Sequence, residues 1–108
     1  MNSQLLSFLG IARRANALTL GFDPAVEAMS GGKVCLLLLA EDLSSRTLRN
    51  ITAAAQKNRV QTIVLEKISM DQIGAAIGKR TGIVAVNDEG FSNKLKTLCG
   101  NSRQEECL

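Results

Sequence analysis

The chain has 108 residues and a mass of 11.6 kDa, which is enough for one compact domain that buries about two-thirds of its unfolded surface. With 45% hydrophobic and 21% charged residues and a net charge of +3, it has the balance of a folded chain rather than a disordered one. It contains no histidine, the commonest general base near neutral pH and the commonest zinc ligand, and no Trp or Tyr to serve as stacking platforms for single strands.

The first predicted helix carries Leu5, Phe8, Leu9 and Ala12 at spacings of three and four, with Ser3 as its cap and Asn16 at its end. A short strand, 18–20, leads to Gly21. Asp23-Pro24 then reads as a second helix start, Asp as N-cap and Pro in the first turn, with Val26 and Met29 inward and Gly31-Gly32 as the stop. The run Val34–Ala40 is apolar throughout, so it predicts a strand covered on both faces. Seven residues are too few to span a bilayer. Ser44 or Ser45 caps a third helix with Leu48, Ile51, Thr52 and Ala55 inward and Arg46, Arg49, Asn50 and Lys57 outward.

A strand at 62–65 follows, and then Ser69-x-x-Gln72 forms a capping box ahead of Ile73, Ala76 and Ile77. Gly78 closes that helix, and Lys79-Arg80-Thr81-Gly82 is a basic loop before the strand 83–86. Asp88 opens a last helix with Phe91, Leu95 and Leu98 inward. Residues 1–98 are therefore read as a single domain and 99–108 as a polar, frayed tail. Helices alternating with buried strands define an α/β class, a sandwich with helices on both faces of one sheet.

Three cysteines, Cys35, Cys99 and Cys107, make an odd number without CxxC spacing, which points to a reducing cytoplasm. Cys35, inside the apolar run, is expected in the core. The segment Phe8–Ala12 has no basic start and is followed by Arg13 and Arg14, so it is not expected to be a secretory leader, and no membrane association is expected.

Little supports catalysis. Neither G-x-G-x-x-G nor G-x-x-x-x-G-K-[ST] occurs, and Gly74-x-x-x-Gly78-Lys79 lies within and at the end of a helix, whereas a phosphate loop precedes one. Glu41 and Asp42 follow a buried strand, where open α/β sheets hold ligands; they read as two of three metal ligands or as a solvated turn. No nucleophile has an identifiable base. No enzyme activity, cofactor or metal is expected. Cations fall at helix ends and loops, at Arg13, Arg14, Lys33, Arg46, Arg49, Lys79 and Arg80. Because Arg103, Glu105 and Glu106 all lie in the tail, the domain is one unit more basic than the chain, at +4. With a pI near 9.0, this permits a nucleic-acid partner without requiring one.

The order of segments is more specific. Leu9-Gly10-Ile11-Ala12-Arg13-Arg14-Ala15, Leu20-Gly21, Gly32-Lys33, Leu36–Leu39 and Ala40-Glu41-Asp42-Leu43-Ser44 resemble the ribosomal-protein L-seven-Ae and L-thirty-e family of kink-turn RNA binders. So do Ile73-Gly74-x-x-Ile77-Gly78-Lys79 and Ile83-Val84-Ala85-Val86-x-Asp88-x-Gly90-Phe91. The similarity spans about residues 4–98 and is greatest to the small bacterial YlxQ-like ribosomal proteins.

The resemblance implies a three-layer α/β/α sandwich on a four-stranded mixed sheet, no catalysis, and binding of structured RNA, with ribosomal RNA among the candidates; a monomer is expected. It implies that the N-terminus of the second helix enters the groove beside sheared G·A pairs, and that the loop at Lys79–Ile83 packs on an extruded base. The RNA-contacting residues it suggests are Arg13, Arg14, Gly21, Phe22, Asp23, Lys33, Glu41, Lys79, Arg80, Thr81 and Gly82.

The family's G-x-N-E-x-x-K reads Gly21-Phe22-Asp23-Pro24-Ala25-Val26-Glu27 here, and its preceding basic pair reads Thr19-Leu20. Asp23 cannot donate as an amide does, Pro24 has no carboxylate, and Glu27 reverses a charge. These exchanges predict weaker kink-turn recognition than is standard for the family. A protein-interaction module on the same fold is the alternative, with Leu20 and Phe22 as an apolar contact beside Pro24.

Overall fold

The three central strands of the sheet are buried at successive positions, and the two sides of each strand feed two different cores. The computed structural model describes residues 2–99 and 103–105. In chain order the elements are α1 (Asn2–Arg14), β1 (Leu18–Leu20), α2 (Phe22–Ser30), β2 (Leu36–Ala40), α3 (Ser45–Lys57), β3 (Thr62–Leu65), α4 (Met70–Ile77), β4 (Ile83–Val86), α5 (Glu89–Leu98) and β5 (Arg103–Glu105). The strands lie in the order β1-β4-β2-β3-β5. β2 and β3 are parallel, and β4 runs antiparallel to both β1 and β2.

On one face Leu36, Leu38, Ala40, Ile63, Leu65, Val84 and Val86 pack against Leu5, Leu9 and Ala12 of α1, Ile73 and Ile77 of α4, and Leu95 of α5. Phe8 and Phe91 meet there with ring centroids 5.3 Å apart. On the other face Leu37, Leu39, Val64, Ile83 and Ala85 pack against Ala25 and Met29 of α2 and Ile51 and Ala55 of α3. This is the predicted α/β/α sandwich on a mixed sheet. Each fully buried leucine contributes about 1.5–3 kcal/mol of burial, so the unbroken Leu36–Leu39 run anchors both layers at once.

Local chemistry sets the helix ends. Asn16, at φ 61°, closes α1 in a Schellman arrangement: its N–H donates to the Arg13 carbonyl, and the Ala17 N–H donates to that of Ala12. The Ser44 hydroxyl accepts from the Thr47 N–H, Ser69 and Gln72 form the reciprocal capping box, and Asp88 accepts from the Phe91 N–H. Helix α1 begins at Asn2, which places Ser3 in its first turn rather than at its cap.

Three expectations change. Cys35 is exposed, because β2 starts at Leu36, two residues later than the predicted Val34. Cys99, assigned to the tail by composition, is buried in the core, and burial pushes its thiol up to about 11, which makes it unreactive near neutral pH. Residues 103–105, expected to fray, pair antiparallel with β3 as a fifth strand. An open sheet edge recruits a neighbour through backbone N–H and C=O groups, so a polar composition does not prevent the pairing. Cys107 lies outside the described residues.

The Ser92 hydroxyl is buried against the core with no hydrogen-bond partner among the described residues. Leaving a buried hydroxyl unsatisfied costs about 1–3 kcal/mol. Ser92→Ala is therefore expected to stabilise the fold by about 1 kcal/mol, read as a higher urea midpoint at unchanged m-value.

Candidate nucleic-acid interface

The sheet directions bring the C-terminal ends of β1, β2 and β3 to the end where β4 begins. Open α/β sheets bind ligands at this end of their strands. Four connections meet there: Gly21 ahead of α2, Glu41–Ser44 ahead of α3, Glu66–Ser69 ahead of α4, and Lys79–Gly82 ahead of β4.

Gly21 is the N-cap of α2, with φ 95° and ψ 165° and no side chain capping the helix. The predicted start at Asp23-Pro24 is thus two residues late. The extended glycine lets the chain turn directly from β1 into the helix, which places Asp23 and Pro24 inside the first turn. The Gly21 N–H donates to the Ile83 carbonyl at 3.0 Å, so α2 starts beside the loop that enters β4. Pro24 has no N–H, and Asp23 sets a carboxylate at the positive end of the helix.

The second loop is tied down from several sides. The Gly82 carbonyl accepts from the Ala40 N–H at 2.9 Å, and the Ile83 N–H donates to the Thr81 hydroxyl at 3.2 Å. Gly82 itself is buried; a Cβ there would approach Leu43 Cδ2 to 2.5 Å and Met70 Cγ to 2.9 Å. It is a packing residue rather than a contact surface. Arg80 is exposed and its guanidinium donates to Asp71, which raises its pKa above the usual value. An exposed pair of this kind holds weakly, so Asp71 can give way to a phosphate. Lys79 is exposed.

Glu41 and Asp42 have structural work to do. Glu41 Oε1 accepts from the Lys67 N–H and Asp42 Oδ1 from the Met70 N–H, both at 2.9 Å. These bonds join the β2–α3 turn to the start of α4, and the described residues hold no cluster of three or more potential metal ligands.

The other predicted contacts are dispersed. Lys33 sits at the far end of α2, roughly 13 Å along its axis from Gly21, beside Thr19, Cys35 and Asn87. Arg13 and Arg14 are exposed at the end of α1, and Arg14 lines a groove between α1 and α4 with Ile11, Gln72 and Ala75. Gly21, Phe22, Asp23, Glu41 and Lys79–Gly82 are therefore brought together, while Lys33 is not. Leu20 is buried in the core under α1, α4 and α5 and Phe22 is half-buried against the α2–α3 core, so they do not form the exposed apolar pair that a protein-docking patch requires.

Two features escaped the sequence reading. Across these connections Glu41, Asp42 and Glu66 balance Lys67, Lys79 and Arg80, and the first turns of the helices that follow add Asp23 and Asp71 against Arg46, so this end carries no basic excess. The Arg80–Asp71 pairing arises because the loop folds back along α4; nothing in their nine-residue spacing announces it.

The chain is thus a three-layer α/β sandwich in which a helix start without a side-chain cap lies beside a basic return loop. The chain belongs to the ribosomal protein L7Ae/L30e/S12e/Gadd45 family, whose sequence pattern matches residues 3–96. It is 35% identical over 91 residues to the RNA-binding protein YlxQ of Bacillus subtilis (strain 168), covering 83% of this chain and 89% of that protein. A Bacillus halodurans protein of unknown function has the same fold, with a TM-score of 0.83, 31% identity, and coverage of 91% of this chain and 98% of that one. The 15.5kD RNA binding protein of Giardia lamblia aligns with a TM-score of 0.72 and 17% identity, over 92% and 84% of the two chains, and shares the fold.

Proposed function

We propose that this protein binds structured RNA of the kink-turn type without catalysing a reaction, as a translation-associated cytoplasmic monomer. One observation carries the reading: the α2 start and the Lys79–Gly82 loop, the two segments that the family resemblance assigns to RNA, are neighbours joined by the Gly21–Ile83 hydrogen bond. Family membership and the likeness to an RNA-binding relative support it. Among the described residues Ile11 is the single large apolar side chain that stands exposed, which suits a monomer.

In this reading the open first-turn N–H groups of α2 face RNA acceptors, and Arg80 exchanges Asp71 for a phosphate. Asp23 and Glu27, both exposed on α2, weaken the contact by repelling phosphate. Glu27→Lys is expected to tighten binding to a kink-turn RNA about tenfold, roughly 1.4 kcal/mol, the scale of a charge-assisted contact. The test is calorimetric titration of parent and variant against a kink-turn RNA and an unstructured control at two salt concentrations. Equal, weak binding of the parent to both RNAs would remove kink-turn recognition, and an unchanged affinity in the variant would take α2 off the RNA face.

A further inference from the structure

Between Asp42 and Glu66 the chain has no acidic residue, yet it carries Arg46, Arg49, Lys57 and Arg59. Helix α3 occupies most of that interval and buries Ile51 and Ala55 against the sheet. At 100° per residue, Arg46, Arg49, Asn50, Ala53, Gln56 and Lys57 fall within one 120° stripe opposite that buried side, and all six are exposed. Arg46, Arg49 and Lys57 make no ion pair with any described residue, so their charge is uncompensated at the surface. This stripe holds the basic excess that the Gly21 end lacks.

We propose that the outer face of α3 is a second RNA surface, a backbone track for a duplex flanking the primary site. It rests on the RNA-binding reading and extends it. Helix α3 starts from the Glu41–Ser44 connection at the Gly21 end and packs beside α2, so the stripe is continuous with the proposed site. From Arg46 to Lys57 it runs roughly 16 Å, enough to cover several phosphates. Ala53 at its centre is small and lets a sugar–phosphate backbone approach, while Asn50 and Gln56 add neutral hydrogen-bonding groups. The stripe has no large apolar residue to insert into lipid, and the charge complement it fits is a polyanion with regularly spaced phosphates, read by shape without base contacts.

The test compares the parent with Arg46→Gln/Arg49→Gln/Lys57→Gln and with the charge-conserving Arg46→Lys/Arg49→Lys. Glutamine and lysine are good helix formers, and matched thermal melts establish that all three proteins fold alike. Affinity is measured against salt for a kink-turn RNA with a long flanking stem, the same RNA with the stem cut short, and a plain RNA duplex. Each lost phosphate contact lowers the slope of log K against log[salt] by about 0.7–0.9. The glutamine variant is expected to lose about 2 to 3 from that slope, and at least tenfold in affinity at low salt, on the long-stem RNA and the duplex. The short-stem RNA is expected to change little, and the lysine variant to match the parent. An unchanged slope in the glutamine variant, with parent binding to kink-turn RNA intact, overturns the α3 track alone. Absence of kink-turn preference in the parent, with the slope loss retained on duplex, overturns the kink-turn reading alone. If the parent binds none of the RNAs, both fall.

Discussion

Gly21→Ala is expected to destabilise the protein by about 1–3 kcal/mol and to weaken RNA binding at the same time. With φ 95° and ψ 165°, Gly21 occupies a region of backbone space that is essentially closed to residues with a Cβ. Relieving the strain means rotating the junction between β1 and α2, which pulls the Gly21 N–H away from the Ile83 carbonyl. For a domain of this size each kilocalorie lowers the melting temperature by roughly 4–8 °C. Asparagine sharpens the test. It tolerates the left-handed helical conformation found at Gly78, φ 85° and ψ 6°, but not that of Gly21. Gly78→Asn is therefore expected to be mild and Gly21→Asn as damaging as alanine, both read from denaturant midpoints. Equal tolerance at the two positions would mean that the extended glycine is not what sets the α2 start.

Gly74→Val is expected to cost about 2–3 kcal/mol and to displace the Lys79–Thr81 loop. A Cβ on Gly74 would lie 2.8 Å from the Arg80 Cα and 3.2 Å from its N, both backbone atoms that cannot rotate aside as a side chain would. Valine gains only a few tenths of a kilocalorie over glycine in helix propensity, while forced overpacking costs about 1–3 kcal/mol. The return loop has to lift off α4, which separates Arg80 from Asp71. Urea unfolding gives the stability change, and titration with a kink-turn RNA gives the loop's share of binding. Preserved affinity in a destabilised variant would take the loop out of the RNA face.

Much of the fold was legible because its cues are local. The boundaries of β1, β3 and β4 follow directly from short apolar runs between turn residues, and Asn16, Ser44, Ser69 with Gln72, Gly78 and Asp88 act where their chemistry places them. Capping and turn preferences involve atoms a few residues apart and hold in any tertiary setting. The α2 start was misread because Asp-Pro is a good local cap, while the long-range bond from Gly21 to Ile83 favours an earlier one. Cys35 and Cys99 changed places for a similar reason, since composition describes a segment and burial depends on what packs against it.

The candidate site was less legible than the fold. Sequence order identified Gly21 and the Lys79–Gly82 loop, and they do meet. It also grouped Lys33 with them, although α2 carries Lys33 to the opposite end. Gly82 turned from contact to packing residue once Leu43 and Met70 closed around it.

Composition, charge and hydrophobic pattern by themselves determined a basic, histidine-free chain with a two-sided apolar sheet, since hydrophobic period and capping chemistry are written residue by residue. Only the tertiary structure decided where the charge sits. Pairing of strands distant in sequence gathers Asp23, Glu41, Asp42, Glu66 and Asp71 with Arg46, Lys67, Lys79 and Arg80 around the sheet end that family resemblance assigns to RNA, and leaves Arg46, Arg49 and Lys57 along α3 with no ion pair to any described residue. Electrostatic fields depend on distances in space, which a net charge of +3 cannot report.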